Sequence, residues 1–106
     1  MKKKAYYKLV RDRIPETIDE AGKRYQVSQI RGADLTSYAL KKLREEVQEF
    51  VEDPCGEEAA DILEILNFIC ERLSISAAAV EAERISKRVR RGGFDMGLLL
   101  EWVEDE

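Results

Sequence analysis

The stretch LREEVQEFVEDPCGEEAADILEIL, residues 43–66, contains nine acidic side chains and a single basic one, Arg44. No lysine or arginine occurs between Glu45 and Glu71. Apolar residues on both sides of Pro54 recur at helical spacing, so the stretch predicts two helices joined by a short turn. Carboxylates crowded in this way repel one another unless cations or protons compensate their charge. The sequence therefore raises the question of which cation this region binds.

The helical phase places four of these acids on facing surfaces. At about 100° per residue, Glu58 falls in line with the apolar side chains of the second helix, and Asp61 lies at the edge of the same face. An unpaired carboxylate there carries a large desolvation cost. The preceding helix has Glu46 and Glu49 at the same i,i+3 spacing. Because residues equally far from a tight turn lie at the same level of an antiparallel hairpin, the four carboxylates are predicted to converge.

A convergent set of carboxylates predicts a metal site. Oxygen ligands favour the hard ions Mg²⁺ and Mn²⁺. The chain contains no histidine, which excludes a di-iron site built on Glu-x-x-His and nucleophiles activated by histidine. Solvated helix faces are the alternative explanation for the two matched pairs. They are the expected explanation for the other acids of the stretch, which are Glu45, Glu52, Asp53, Glu57 and Glu64.

Length and composition predict one small helical domain spanning residues 1–106. The 38% of charged residues suits a protein whose outer helix faces are solvated. The alternating segment RYQVSQIR, residues 24–31, predicts a short strand or an extended linker. Four main helices are expected: Pro15–Ala21, closed by Gly22; Leu35–Glu52, capped by Asp34; Cys55–Leu73, after a cap at Asp53 and with Pro54 at the first position; and a fourth between a Ser76 cap and Gly92.

The third of these helices is apolar nearly all round, which predicts a central, buried helix. A second apolar segment, MGLLLEW, occupies residues 96–102. A chain of this length buries little apolar surface by itself. The predicted fold is therefore an all-α bundle of four main helices completed by dimerisation, as a homodimer or a dimer of dimers.

The sequence also bears on location. No apolar run reaches the roughly 18 to 20 residues of a membrane-spanning helix, and no secretory leader follows the N-terminal lysines. Cys55 and Cys70 are too few for a disulfide framework and do not have zinc-site spacing. These features predict a cytoplasmic protein with reduced thiols and no membrane partner. The acidic middle and the net charge of −4 oppose nucleic-acid binding, despite basic chain ends.

The acidic motifs resemble those of a known superfamily. E-E-x-x-E at Glu45, Glu46 and Glu49, followed by E-x-x-D at Glu58 and Asp61, is similar to the signature of the MazG superfamily of all-α nucleoside triphosphate pyrophosphohydrolases. The terminal segments YKLVRDRIPE, residues 7–16, and KRVRRGGF, residues 87–94, resemble its phosphoribosyl-ATP pyrophosphohydrolase-like subgroup. The resemblance covers nearly the whole chain.

The resemblance implies Mg²⁺-dependent cleavage of a nucleoside triphosphate to the monophosphate and pyrophosphate. It implies that Glu45 orients or deprotonates the attacking water, and that Lys87 and Arg91 hold phosphate oxygens. Lys8 and Arg11, in the basic N-terminal segment, are further candidate substrate contacts, with a solvated basic arm as the alternative. The resemblance also implies four metal ligands, which are Glu46, Glu49, Glu58 and Asp61.

Two other functions remain open at this point. One is phosphoribosyl-ATP hydrolysis in histidine biosynthesis, which differs only in substrate. The other is a non-catalytic helical module for dimerisation or regulation that keeps the fold without turnover.

Overall fold

A computed structural model describes residues 2–105 as four helices: α1 (Ile14–Glu20), α2 (Gly32–Glu52), α3 (Gly56–Arg72) and α4 (Ala77–Arg91). No strand occurs between residues 2 and 105, so the prediction of an all-α chain with four helices is confirmed. The chain divides into two compact units, Met1–Ser74 and Ile75–Glu106. The assignment of residues 1–106 to one domain stays a prediction.

In the first unit, α2 and α3 pack together as an antiparallel hairpin. The connection between them is only residues 53–55. At the far end of the hairpin, Arg72 donates to the carbonyl oxygen of Gly32 and to Oγ1 of Thr36, both at 2.8 Å. These bonds join the end of α3 to the start of α2. The hairpin therefore has a fixed register, which decides which side chains face each other near the turn.

The core of the hairpin is small. Ala39, Ile65 and Ile69 are its buried apolar residues, and Leu9, Leu43 and Phe68 pack against them. Only one stripe of α3 is covered, since Leu63 on another face is 60% exposed. The prediction of an α3 buried on all sides is wrong within this unit, because a single helix and the N-terminal segment cannot surround it.

Several helix ends differ from prediction. Helix α2 begins at Gly32, with Arg31 as its N-cap, so Asp34 lies in the first turn instead of capping the helix. Helix α3 begins at Gly56 and is preceded by an N-cap at Cys55. Asp53 is the C-cap of α2, and the predicted capping role of Asp53 is therefore wrong. Pro54 likewise lies in the connection and not at the first helical position.

Other predicted ends are confirmed. Gly22 and Gly92 have φ values of 71° and 81°, in the left-handed region that glycine adopts without steric cost. The Ser76 side chain accepts a hydrogen bond from the Ala79 amide at 3.2 Å and caps α4. Residues 24–31 have no regular secondary structure, which agrees with the linker interpretation and not with the strand.

The second unit consists of α4 and the C-terminal tail. Helix α4 has no buried residue within the described chain. The apolar side chains of the tail are also exposed, with Phe94 at 98%, Leu99 at 86% and Trp102 at 75%. None of the four helices combines the length and the apolar character that crossing a bilayer requires. Dimerisation stays a prediction.

Candidate metal centre

The hairpin brings four carboxylates together beside its turn. Glu46 and Glu49 from α2, with Glu58 and Asp61 from α3, each offer an oxygen atom, and these four oxygens lie within 4.8 Å of one another. The predicted convergence is therefore confirmed. It follows from the helical phase and from the short connection, which places the two i,i+3 pairs at the same level. Their role as metal ligands stays a prediction.

Two of the carboxylates have buried oxygens without a hydrogen-bond partner. Glu46 is only 6% exposed, and its Oε2 atom is buried and unpaired. The Oε2 atom of Glu58 is also buried and has no hydrogen-bond partner. Buried polar atoms are nearly always paired, and an unpaired carboxylate oxygen is especially unfavourable. Both residues belong to the cluster of four carboxylates, so a cation bound there would offset the negative charge of both groups.

The spacing of the cluster suits a small divalent ion. Mg²⁺ binds oxygen ligands at about 2.1 Å, so opposite ligands of one ion lie about 4.2 Å apart. The observed limit of 4.8 Å requires only a slight contraction of side chains. The donors are all carboxylate oxygens, which is the chemistry that Mg²⁺ and Mn²⁺ prefer. The residues present therefore fit the predicted ion.

Lys42 is a member of the site that the sequence interpretation missed. Its Nζ atom lies 3.1 Å from Oε1 of Glu45 and 3.1 Å from Oε1 of Glu46, and its side chain is only 16% exposed. A signal for it exists in the sequence, because lysine stands three and four residues before the two acids, where helical side chains meet. Glu45 is therefore an ion-paired residue and not a simply solvated one.

The N-terminal segment supplies two more cations. Nζ of Lys8 lies 3.1 Å from Oε1 of Glu45, and Nη2 of Arg11 lies 2.7 Å from Oδ1 of Asp61. Between them, Leu9 packs against the hairpin core and holds the segment in place. Both side chains are exposed and are ion-paired with acids of the hairpin, and their role as substrate contacts stays a prediction. The predicted candidates Lys8 and Arg11 lie beside the carboxylate cluster.

These cations balance only part of the negative charge. The connected network contains five carboxylates, which are the cluster and Glu45, and three cationic side chains, which are Lys8, Arg11 and Lys42. When all are ionised, the network lacks two positive charges. A divalent cation carries that charge, whereas partial protonation is the alternative way to compensate.

The pKa values reflect this imbalance. Burial raises the pKa of Glu46 above its usual value, against the opposing effect of Lys42. Burial, followed by the negative charge of Asp61, also raises the pKa of Glu58. For Glu45, partial burial favours the neutral acid, but its bonds to Lys42 and Lys8 outweigh this, and its pKa lies below the usual value.

The raised pKa values predict the pH dependence of the metal-free protein. The ordinary pKa of a glutamate side chain is 4.5, and those of Glu46 and Glu58 are raised. At pH values between 4.5 and these raised pKa values, the two groups bind more protons in the folded than in the unfolded chain. Their contribution to stability is therefore present at low pH and is lost as pH rises through this window. Below pH 4.5 the sign reverses, because Glu45 has a lowered pKa. We expect urea melts in EDTA to show highest stability near pH 4.5; stability that rises steadily from there to neutrality would contradict this.

A cavity of about 250 Å³ opens beside the carboxylate cluster. Three of its lining side chains are basic, which are Lys8, Arg11 and Lys42, and two are acidic, which are Glu46 and Asp61. Positive and negative groups thus line one cavity. Such a lining can bind an anionic ligand and a cation at the same time.

Lys87 and Arg91, the other predicted phosphate contacts, belong to the second unit. They lie four residues apart on α4 and are exposed. The ion pairs that α4 makes in the described chain involve Arg84, Arg88 and Arg90, and neither Lys87 nor Arg91. Their predicted role in binding phosphate stays a prediction.

Comparison with known proteins adds no assignment: no family model matches the chain, and no curated protein or solved structure matches it.

Proposed function

We propose that the chain is a Mg²⁺-dependent nucleoside triphosphate pyrophosphohydrolase of the MazG type, which acts in the cytoplasm and releases a nucleoside monophosphate and pyrophosphate. The observation that carries the proposal is the cluster of four carboxylates with buried, unpaired oxygens on Glu46 and Glu58. The cationic side of the adjoining cavity supports it, because a nucleotide–metal complex needs both kinds of group.

Four carboxylates would hold the ion: Glu46, Glu49, Glu58 and Asp61. When bound, Mg²⁺ neutralises phosphate charge and lowers the pKa of a water molecule, which are the contributions that phosphoanhydride hydrolysis needs. The chain's own contribution is to hold the donor oxygens in position before substrate arrives. Rigid helices do this more accurately than loops, and both acidic pairs lie on helices packed against each other.

Glu45 would orient the attacking water. Its Oε1 atom accepts hydrogen bonds from Lys8 and Lys42, both at 3.1 Å. A carboxylate with a lowered pKa is a weak base, so orientation is a better role for Glu45 than removal of a proton. In the hydrogen bonds of the described chain only Oε1 is used, which leaves Oε2 to accept a hydrogen bond from water.

The basic residues would bind the phosphates. A nucleoside triphosphate carries about four negative charges, and carboxylates alone would repel it. Lys8, Arg11 and Lys42 offer N–H donors to the cavity, and the guanidinium group suits two phosphate oxygens at once. By resemblance to the MazG superfamily, Lys87 and Arg91 would hold further phosphate oxygens.

The test is a substrate screen that measures pyrophosphate release. Purified protein with Mg²⁺ is given ribonucleotide, deoxyribonucleotide and modified nucleoside triphosphates, and phosphoribosyl-ATP. We expect metal-dependent release of pyrophosphate from at least one nucleoside triphosphate. Turnover of phosphoribosyl-ATP alone would support histidine biosynthesis, and no turnover of any nucleotide would favour a non-catalytic module. EDTA provides the matched control.

We also propose that the protein is a homodimer or a dimer of dimers. Only Ala39, Ile65 and Ile69 form the buried apolar core in the described chain, while large apolar side chains of α3 and of the tail are exposed. So much exposed apolar surface is unusual for a soluble monomer and typical of an interface.

Sedimentation tests this assembly. At micromolar concentration we expect a mass of twice or four times 12.2 kDa, and we expect Leu99→Glu in the exposed tail to shift the distribution toward monomer, because a buried charge opposes association. Lys23→Glu, on an exposed loop, is the control. A folded wild-type monomer would contradict the proposal.

A further inference from the structure

We propose that Arg11 changes partner during binding: it pairs with Asp61 in the metal-free protein and moves to a substrate phosphate when a divalent cation binds the Asp61 carboxylate. The inference rests on the proposed function, in which Asp61 is a metal ligand. In this exchange the metal and Arg11 compete for the Asp61 carboxylate, and the N-terminal segment therefore responds to metal binding.

The ion pair of Arg11 and Asp61 is the first support. The distance from Nη2 to Oδ1 is 2.7 Å, which is that of a strong charge-assisted hydrogen bond. Asp61 is also one of the four converging carboxylates. A divalent ion bound to the Asp61 carboxylate neutralises its charge and repels the guanidinium cation, so the ion weakens the pair of Arg11 and Asp61.

The surroundings of Arg11 keep it near the site after it leaves Asp61. On one side, Leu9 packs against the hairpin core. On the other, the carbonyl oxygen of Arg11 accepts a hydrogen bond from the amide of Ile14 at the start of α1. The backbone is thus held at both sides, while the side chain is 56% exposed and lines the cavity.

The guanidinium group is also suited to the second partner. Arginine has five N–H donors in a rigid plane, and Asp61 uses one of them in this ion pair. The planar fork matches a phosphate group as well as it matches a carboxylate. A phosphate in the cavity would therefore replace the bond that the metal displaces.

This exchange predicts that removal of the Arg11 side chain changes the affinity for metal and the affinity for phosphate in opposite directions. Without substrate, Arg11 competes with the metal, so its removal should tighten metal binding. With metal present, Arg11 binds phosphate, so its removal should weaken phosphate binding. A residue that merely supports the fold would weaken both.

The first arm of the test measures Mn²⁺ binding to the full-length, metal-free protein by calorimetry. We expect Arg11→Ala to bind Mn²⁺ about three- to fivefold more tightly, the size expected from loss of one exposed ion pair. Lys8→Ala is the matched control, because Lys8 also carries one charge but pairs with Glu45, outside the cluster. Lys8 is the less exposed of the two, at 39% against 56%, so a general charge effect would be at least as large for Lys8→Ala.

The second arm measures binding of inorganic pyrophosphate, a probe without a base, at saturating Mn²⁺. We expect Arg11→Ala to bind it at least about tenfold more weakly, since one charge-assisted contact is lost. Arg11→Lys keeps the charge but loses the planar fork, so its affinity should be intermediate. Circular dichroism of each variant verifies that it is folded.

The outcomes separate this inference from the proposed function. Affinities for Mn²⁺ and pyrophosphate that change in the same direction in Arg11→Ala, or a Mn²⁺ affinity of Arg11→Ala equal to that of the wild type, would overturn the exchange even if the wild type hydrolyses nucleotides. An effect of Lys8→Ala on Mn²⁺ binding as large as that of Arg11→Ala would also overturn it. A wild-type protein that binds no Mn²⁺ would overturn both the exchange and the metal site.

Discussion

We expect amide substitution of any one of the four converging carboxylates to reduce pyrophosphate release at least about a hundredfold, because a metal ion contributes several kcal/mol of transition-state stabilisation and each 1.36 kcal/mol is tenfold in rate. Each substitution replaces a charged oxygen donor with a neutral amide of the same shape. The fold should therefore persist while metal affinity falls. The variants are Glu46→Gln, Glu49→Gln, Glu58→Gln and Asp61→Asn.

Two other acids on the same helices provide controls. Glu64 is an exposed residue on α3, and Glu52 is an exposed residue on α2 whose Oε1 atom accepts a hydrogen bond from Gln48. Glu64→Gln and Glu52→Gln should retain activity within about twofold, as usual for surface substitutions. Partial rescue of the cluster variants by high Mg²⁺ would separate loss of affinity from loss of fold. Equal losses in both sets would show that the cluster is not the metal site.

The second large effect concerns stability. We expect Mg²⁺ at a hundredfold excess over its dissociation constant to stabilise the protein by about 2.7 kcal/mol, because the ion binds the folded cluster far better than the unfolded chain. For a chain of this size, that corresponds to a rise in Tm of roughly 10 °C or more. The measurement is a thermal melt in EDTA and in Mg²⁺ at matched ionic strength.

Glu49→Gln tests whether repulsion in the cluster is the cause. Glu49 faces Glu46 and Glu58 without a cationic partner among the ion pairs of residues 2–105. Its neutral variant should melt at a higher temperature than the wild type in EDTA, since one repulsive charge is gone, and should lose most of the response to Mg²⁺. Glu64→Gln should retain the wild-type response. A lower Tm of Glu49→Gln in EDTA, with the Mg²⁺ response unchanged, would contradict the argument.

Local features of the sequence determined the all-α fold and the convergence of the acids. Helical phase assigned Glu58 and Asp61 to one face of α3, and Glu46 and Glu49 to one face of α2. Because the connection of residues 53–55 is short, the acidic pair of α2 and the acidic pair of α3 must lie at the same distance from the turn and face each other. Both inferences depend on regular helix geometry over a few turns, so they needed no long-range information.

Contacts between distant segments were decided by the tertiary structure alone. Arg11 and Asp61 are 50 residues apart in the chain, and Lys8 and Glu45 are 37 apart. No periodicity relates such positions, because the path of the N-terminal segment depends on where Leu9 packs against the hairpin. The sequence identified the basic segment, but its ion-pair partners depend on that packing.

Burial also depended on what each helix packs against. Apolar residues occur nearly all round α3, yet only Ile65 and Ile69 are buried, because α2 and the N-terminal segment cover one stripe. Composition determines how much surface a helix could bury, whereas the surface it does bury depends on its neighbours. The charge pattern likewise indicated that cations are needed at the acids of residues 43–66. Helical spacing relates Lys42 to Glu45 and Glu46, whereas only the folded chain decided that Lys8 and Arg11 supply further positive charge there.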